Sequence, residues 1–304
     1  MKRDLISIKD LTKKEILGLF EQARVFKKNP FLKRKALESK SIALVFQKPS
    51  NRTRVSFEVG MVDLGGHAIY LGPEELELGV RESVKDVARV LSRYLDGIVA
   101  RTFSHKDLLD MAKFSSIPVI NGLSDLLHPC QGLSDLFTIE EKFGKKRIKI
   151  SFVGDGNNVL HSLLLGASTL GRDIFVATPK GHGPKVEILE EAKKIAAQNE
   201  SVVELTNDPI ECVKDADVIY TDVWSSMGQE KEKQKRIEMF KGFQVNGELV
   251  SHAKGDSSIM HCLPAHRGEE ITDEVMDGKN SIVYEQAENR LHVQKAILLK
   301  LLGG

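Results

Sequence analysis

The chain has 304 residues, enough for roughly two domains at about 150 residues each. Hydrophobic residues make up 41% and charged residues 29%, which excludes a disordered chain. Lys and Arg (44) nearly balance Asp and Glu (43), and the net charge of +1 excludes a general attraction to nucleic acid or anionic membranes. A small basic pocket inside a neutral shell stays open. Cys130, Cys212 and Cys262 are too few and too scattered for a disulfide framework. No run of about 18 apolar residues occurs, so no membrane-spanning helix is expected. No apolar leader is visible, and a cytoplasmic location is expected.

In chain order, Thr12 to Leu17 reads as a capped helix start. Short apolar runs then alternate with helical patterns. The runs are 42–46, 68–71, 97–100 and 117–120, followed by 148–153, 174–177, 202–205, 218–220, 259–263 and 282–284. Most are continuous, as in strands buried on both faces of a parallel sheet. After Thr53, the apolar positions Val55, Val59 and Val62 recur at helical spacing, and Gly65-Gly66 supplies a stop. From Ser83 to Tyr94, Val84, Val87, Val90 and Leu91 fall on one face. The charged stretch Glu140–Arg147 predicts a domain boundary near residue 145. Residues 287–302 predict an amphipathic helix that packs back on the first domain. The expected class is α/β, with two domains, each a mainly parallel sheet flanked by helices. Their expected bounds are 1–145 plus 287–304, and 146–286.

Ligands of open parallel sheets bind beyond the carboxyl ends of strands, so the polar residues there are the candidates. The first run leads into Gln47-Lys48-Pro49-Ser50-Asn51-Arg52-Thr53-Arg54 and then a helix. Hydroxyls, arginine forks and a helix N-terminus in one turn suit an oxyanion. The plainer reading is a capped helix with solvated arginines. The third run ends in Arg101, and the fourth leads to His128-Pro129-Cys130-Gln131. Converging loops of this kind would gather cations, Arg52, Arg54 and Arg101 among them, with one imidazole around a phosphate dianion and a polarised carbonyl.

Gly154-Asp155-Gly156 suggests a dinucleotide motif, but Val159 fills the third glycine position and no acid ends the next strand. Asn157 and Asn158 instead offer amides for a carboxylate or an amino acid backbone. Asp222 follows another run and can pair with an ammonium group; Trp224 nearby reads as packing. His261-Cys262-Leu263-Pro264-Ala265-His266 admits three readings. It could serve a zinc site, although the spacing is wrong for a structural finger. Cys262 could be a nucleophile with His261 or His266 as base. Cys262 could also touch substrate without forming a bond to it.

Together these motifs resemble the ornithine carbamoyltransferases of the aspartate/ornithine transcarbamoylase family over nearly the whole chain. The matching blocks are Ser50-Asn51-Arg52-Thr53-Arg54, His128-Pro129-Cys130-Gln131, Asp222 with Ser226-Met227-Gly228, His261-Cys262-Leu263-Pro264, and Glu285 to Arg290. The resemblance implies that carbamoyl phosphate and L-ornithine give L-citrulline and phosphate, with no metal and no organic cofactor. It implies that Ser50, Asn51, Arg52 and Thr53 hold the phosphate, and that Arg101 and His128 polarise the carbonyl. Gln131 and the Leu263 carbonyl would hold the carbamoyl amide, and Arg290, Pro129 and Cys130 complete that set. Asn158 and the Met227 backbone would take the α-carboxylate of ornithine, and Asp222 and Ser226 its α-ammonium. Cys262 would then lie near the reactive amine, which favours its non-covalent reading. The reaction is expected in a cleft between the two domains. A transcarbamoylase for another amine, such as putrescine, is the alternative.

Two positions depart from the family pattern. Asn51 replaces a threonine of the phosphate loop, a change a helix start accommodates. Glu77 stands where relatives carry Gln or His, in a loop that contacts carbamoyl phosphate of a neighbouring subunit. A carboxylate there must be protonated, pair with a cation such as Arg81, or point away. The resemblance also implies a homotrimer.

Overall fold

The computed structural model describes residues 2–144, 146–224 and 233–303. The chain forms two compact units: Met1–Phe137 with Glu288–Gly304, and Thr138–Ala287. Both carry a parallel sheet flanked by helices, the α/β class expected. No described helix is long and apolar enough to cross a membrane.

The first unit begins with α1 (Lys13–Lys28), which starts at a capping box. Thr12 Oγ1 accepts from Glu15 N at 3.3 Å, and the Glu15 carboxylate accepts from Thr12 N at 2.9 Å. Then follow β1 (Ser41–Phe46), α2 (Asn51–Asp63), β2 (His67–Leu71), α3 (Pro73–Leu76), α4 (Val84–Tyr94), β3 (Gly97–Arg101), α5 (His105–Phe114), β4 (Val119–Leu123) and α6 (Pro129–Phe143). The strand order is β2-β1-β3-β4. Chain direction therefore switches sides between β1 and β3, the place where such sheets bind ligands. Phe46 pairs with Arg101 in register, so the loop after β1 starts level with Arg101. The outer edge of β4 is covered by the N-terminal segment, where Leu5 N donates to Val119 O at 2.9 Å.

The second unit contains β5 (Lys149–Val153), α7 (Asn158–Leu170), β6 (Asp173–Ala177), α8 (Val186–Gln198), β7 (Val203–Thr206), α9 (Pro209–Val213), β8 (Val218–Thr221), α10 (Lys233–Phe240), α11 (Gly247–Ser251), β9 (Ser258–His261) and α12 (Asp273–Met276). Its order is β7-β6-β5-β8-β9, so the switch lies between β5 and β8. The central strands β5, β8 and β9 are almost entirely buried, whereas edge strand β7 is half exposed.

One sequence expectation needs correction. Residues 282–284 do not form a strand. Ile259 makes one isolated bridge to Ser281, and the chain then enters α13 (Val283–Leu302). Gln286 N already donates to Ile282 O at 2.9 Å, so helical bonding begins where a strand was expected. The helix expected after Thr53 forms as α2, with its valines outward: Val55, Val59 and Val62 are 48%, 40% and 65% exposed. The buried face is Thr53, Ser56, Phe57, Gly60 and Met61, small or polar where it meets α13. A Cβ at Gly60 would lie 3.3 Å from Lys295 Cγ, which shows how close the two helices run.

The C-terminal part of α13 packs on the first unit as expected. Fully buried Lys295 donates to Asp63 Oδ2 at 2.7 Å and to Pro30 O at 2.6 Å. Removing one partner of such a pair leaves the other unpaired. Lys295→Ala is therefore expected to destabilise the protein by about 3 kcal/mol, measured by urea unfolding.

Candidate active site

In the first unit, Ser50 caps α2, and its Oγ accepts from Thr53 N at 3.3 Å. Thr53 Oγ1 accepts from Arg290 Nη2 at 3.0 Å. The other Arg290 amine donates to Gln131 Oε1, and Gln131 Nε2 donates to Asp135 Oδ1 at 2.8 Å. Arg290 is only 2% exposed and ties α13 to α2 and α6. His128 immediately precedes α6, whose first residue is Pro129, a position where the missing N–H costs nothing. Burial pushes the His128 pKa well below its ordinary value, and the charges of Arg290, Arg101, Lys48 and Arg52 add to that. The imidazole is thus neutral and surrounded by cations.

The sequence reading passed over Lys48 as a site residue. Burial, then the charge of Arg101, lowers its pKa, while Asp125 opposes the shift. Its signal was its place in the polar run directly after β1. Arg54, by contrast, is engaged away from this group. Its Nε donates to Glu58 Oε1 at 2.9 Å, and its guanidinium lies 3.7 Å from the Tyr70 ring centroid. The Cys130 thiol is buried, and its Sγ lies 3.4 Å from Asn121 O. Burial pushes its pKa up to about 12, which makes it a poor nucleophile. Only its backbone, in the first turn of α6, is suited to a ligand.

Glu77 ends α3 in a left-handed conformation (φ 42°) and is exposed. It lines a cavity of about 280 Å³ with Phe46, Gln47, Leu78 and Phe103. Among the described residues Glu77 has no ion pair with Arg81; the link between them is Arg81 N donating to Glu77 O at 3.0 Å.

In the second unit, Gly156 is required by a close approach: a Cβ there would lie 2.2 Å from the Gly183 carbonyl carbon. Gly156 thus serves backbone packing. Asn157 caps α7, its Oδ1 accepting from Val159 N at 3.0 Å and Leu160 N at 3.1 Å. Its Nδ2 donates to Asp222 Oδ2 at 2.6 Å. Asp222, 5% exposed, also accepts from Val223 N at 2.8 Å and from the Cys262 thiol at 2.9 Å. Asn158 is the first residue of α7. The structure therefore joins Asp222, Cys262 and the α7 N-terminus, and Asn157, one of the two amides the sequence offered to a ligand, orients Asp222 instead.

Beside them Arg236 Nη2 pairs with Asp155 Oδ2 at 2.6 Å, and burial raises the Asp155 pKa against that pull. Ser226 and Met227 lie outside the described residues.

The nucleophile reading of Cys262 is not supported. His261 Nδ1 accepts from Leu263 N at 2.8 Å, and its Nε2 faces Glu270 at 3.0 Å. His266 Nδ1 lies 3.6 Å from Glu269. Asp222, His261 and Cys262 do bring potential ligand atoms within 4.8 Å of one another, but both His261 nitrogens already have protein partners.

The depressed His128 pKa has a stability consequence. Near pH 6 the unfolded chain binds a proton at this residue and the folded chain does not. Stability from His128 is therefore full above its ordinary pKa of 6.5 and is lost as pH falls below it. His292, also lowered by burial, acts in the same direction. Urea unfolding at graded pH is expected to show stability rising to about pH 6.5 and then levelling, with a shallower acid limb in His128→Asn. Equal limbs in both proteins would contradict this.

Residues 3–141 match the description "Aspartate/ornithine carbamoyltransferase, carbamoyl-P binding domain", and residues 146–301 match its "Asp/Orn binding domain". The chain is 55% identical to an ornithine carbamoyltransferase of Pyrococcus horikoshii, over 99% of this chain and 96% of that protein. It is 54% identical to one of Pyrococcus furiosus named anabolic, over 99% of this chain and 97% of that protein. The solved structure of ornithine carbamoyltransferase from Pyrococcus furiosus superposes with a TM-score of 0.96 at 54% identity, covering 100% of this chain and 98% of that one. Full-length similarity at this level, on the fold and site geometry just described, places the chain in the aspartate/ornithine carbamoyltransferase family.

Proposed function

We propose that the chain transfers the carbamoyl group from carbamoyl phosphate to the δ-amine of L-ornithine, giving L-citrulline and phosphate, in arginine biosynthesis. The observation that carries this reading is Asp222. It is a buried carboxylate held by Asn157 and Cys262, an anionic seat for an ammonium group. Aspartate as acceptor would need cations there, and putrescine has no carboxylate for Asn158 to take.

Ser50, Asn51, Arg52 and Thr53 bind the phosphate at the α2 N-terminus, where backbone N–H groups and the helix dipole favour an anion. Arg290 and the first turn of α6, with Pro129, Cys130 and Gln131, bind the rest of carbamoyl phosphate, and the Leu263 carbonyl accepts from its amide. Arg101 and neutral His128 stabilise the negative charge that develops on the carbonyl oxygen. Asp222 and Ser226 fix the α-ammonium of ornithine; Asn158 and the Met227 backbone fix its carboxylate. The unprotonated δ-amine forms the C–N bond, and a tetrahedral intermediate collapses. The C–O bond to phosphate breaks, and the amine proton leaves with the products. Cys262, hydrogen-bonded to Asp222, steers the amine and forms no bond to it. Initial rates with ornithine, putrescine and aspartate as acceptors test the assignment. Ornithine is expected to be fastest, and faster turnover of putrescine would overturn it.

The chain works as a homotrimer in the cytoplasm. The exposed Val55, Val59 and Val62 face of α2 offers a partner copy an apolar surface to cover. Val59→Glu is expected to shift the mass measured by light scattering from trimer towards monomer.

A further inference from the structure

We infer that His261 and Glu270 form a positioning pair that fixes the Cys262-Leu263 turn for carbamoyl transfer. This rests on the proposed function, in which Cys262 and the Leu263 carbonyl meet the substrates. His261 is the last residue of β9 and is fully buried. Its backbone N–H donates to Gln286 Oε1 at 2.9 Å. Its Nδ1 accepts from Leu263 N at 2.8 Å, so that nitrogen offers a lone pair and the ring proton sits on Nε2. Nε2 in turn faces Glu270 Oε1 at 3.0 Å. The same oxygen accepts from His266 N at 2.6 Å.

Glu270 is 0% exposed, and a buried carboxylate opposite an imidazole is a poor source of net stability. What it supplies is one tautomer and one ring orientation, the service a carboxylate gives to functional histidines elsewhere. The consequence falls on Leu263. Its backbone is left-handed (φ 59°), a conformation that residues with a side chain rarely adopt, and its N–H is held by the imidazole. With Leu263 pinned on one side and β9 on the other, Cys262 has its thiol directed at Asp222 Oδ1, 2.9 Å away. The pair acts through the turn and touches no substrate itself.

Two substitutions separate positioning from mere packing. In His261→Asn, the side-chain oxygen takes the place of Nδ1 and can still accept from Leu263 N. In His261→Gln, the amide takes the place of Nε2 and can reach Glu270, but Leu263 N loses its acceptor. His261→Gln is expected to lower kcat about tenfold or more with the ornithine KM changed less than about threefold, while His261→Asn keeps most of the activity. Alkylation of Cys262 by iodoacetamide gives a second readout that needs no substrate, since Cys130 and Cys212 are buried. Its rate should change more in His261→Gln than in His261→Asn.

Glu270→Gln keeps the shape and an acceptor oxygen. It should therefore stay near the parent in kcat and alkylation rate, whereas Glu270→Met, which removes the acceptor from His261 Nε2, should move both the same way as His261→Gln. Equal effects of the two His261 variants, in step with their Tm, would overturn the inference, as would an unaltered Glu270→Met enzyme. If the parent protein formed no citrulline, the function would fail while the alkylation rates still judged the pair.

Discussion

Asp222→Ala is expected to lower kcat/KM for ornithine by about a thousandfold, or about 4 kcal/mol, a size typical of losing one partner of a desolvated charge contact. Two effects add. The α-ammonium loses its counter-charge, and Asn157 Nδ2, Val223 N and the Cys262 thiol all lose an acceptor. The second effect loosens the seat as well as emptying it. Asp222→Asn separates the two, because it keeps an acceptor oxygen but removes the charge. It should lose nearly as much in kcat/KM with a smaller fall in Tm than Asp222→Ala. The affinity for carbamoyl phosphate, whose phosphate-binding groups lie in the other unit, should change less than about threefold in both variants, as isothermal titration would measure.

Arg52→Ala is expected to do the reverse and to weaken carbamoyl phosphate binding about a hundredfold, since an arginine fork on phosphate is a charge-assisted, bidentate contact. Arg52→Lys should recover part of this through charge but not the fork. Fluorescence or calorimetric titration with carbamoyl phosphate reads the loss directly. Arg52 is preferable to Arg290 for this purpose. Arg290 is buried and bonds Thr53 and Gln131, so its removal would mix binding with folding. Arg52 also helps lower the His128 pKa, so its removal should let His128 protonate at somewhat higher pH. Equal loss of both ligands in Asp222→Ala and Arg52→Ala would contradict the division of labour between the two units.

Much of this was legible in the sequence because strands and their polar ends follow local rules. Continuous apolar runs located the strands from β1 to β9, and the residues just after β1, β3, β5 and β8 are those found at the two switch points. Local pattern does not say which face of a helix is buried, or whether an apolar run pairs as a strand, where a partner from far along the chain decides. The valines of α2 have good helical spacing, yet α13 packs on its other face, so the stripe is exposed. Residues 282–284 are apolar and strand-like, but the sheet offers Ile259 alone as a partner there, and helix bonding starts instead.

In the site, residue type could not separate the roles of His261 and Cys262. That needed the observation that the His261 nitrogens face Leu263 and Glu270 while the thiol faces Asp222. Lys48 was hidden because one lysine among charged neighbours carries no local mark; its proximity to Arg101 and His128 is a tertiary fact. The net charge of +1 likewise conceals how many cations gather around one imidazole.

The most direct test of the account is the stoichiometry of one reaction. The purified protein is incubated with carbamoyl phosphate and L-ornithine, and citrulline and phosphate are measured together. The account predicts that both form at equal initial rates and that phosphate release beyond spontaneous breakdown stops when ornithine is omitted. Phosphate without citrulline, or neither product from folded protein with both substrates present, would contradict it.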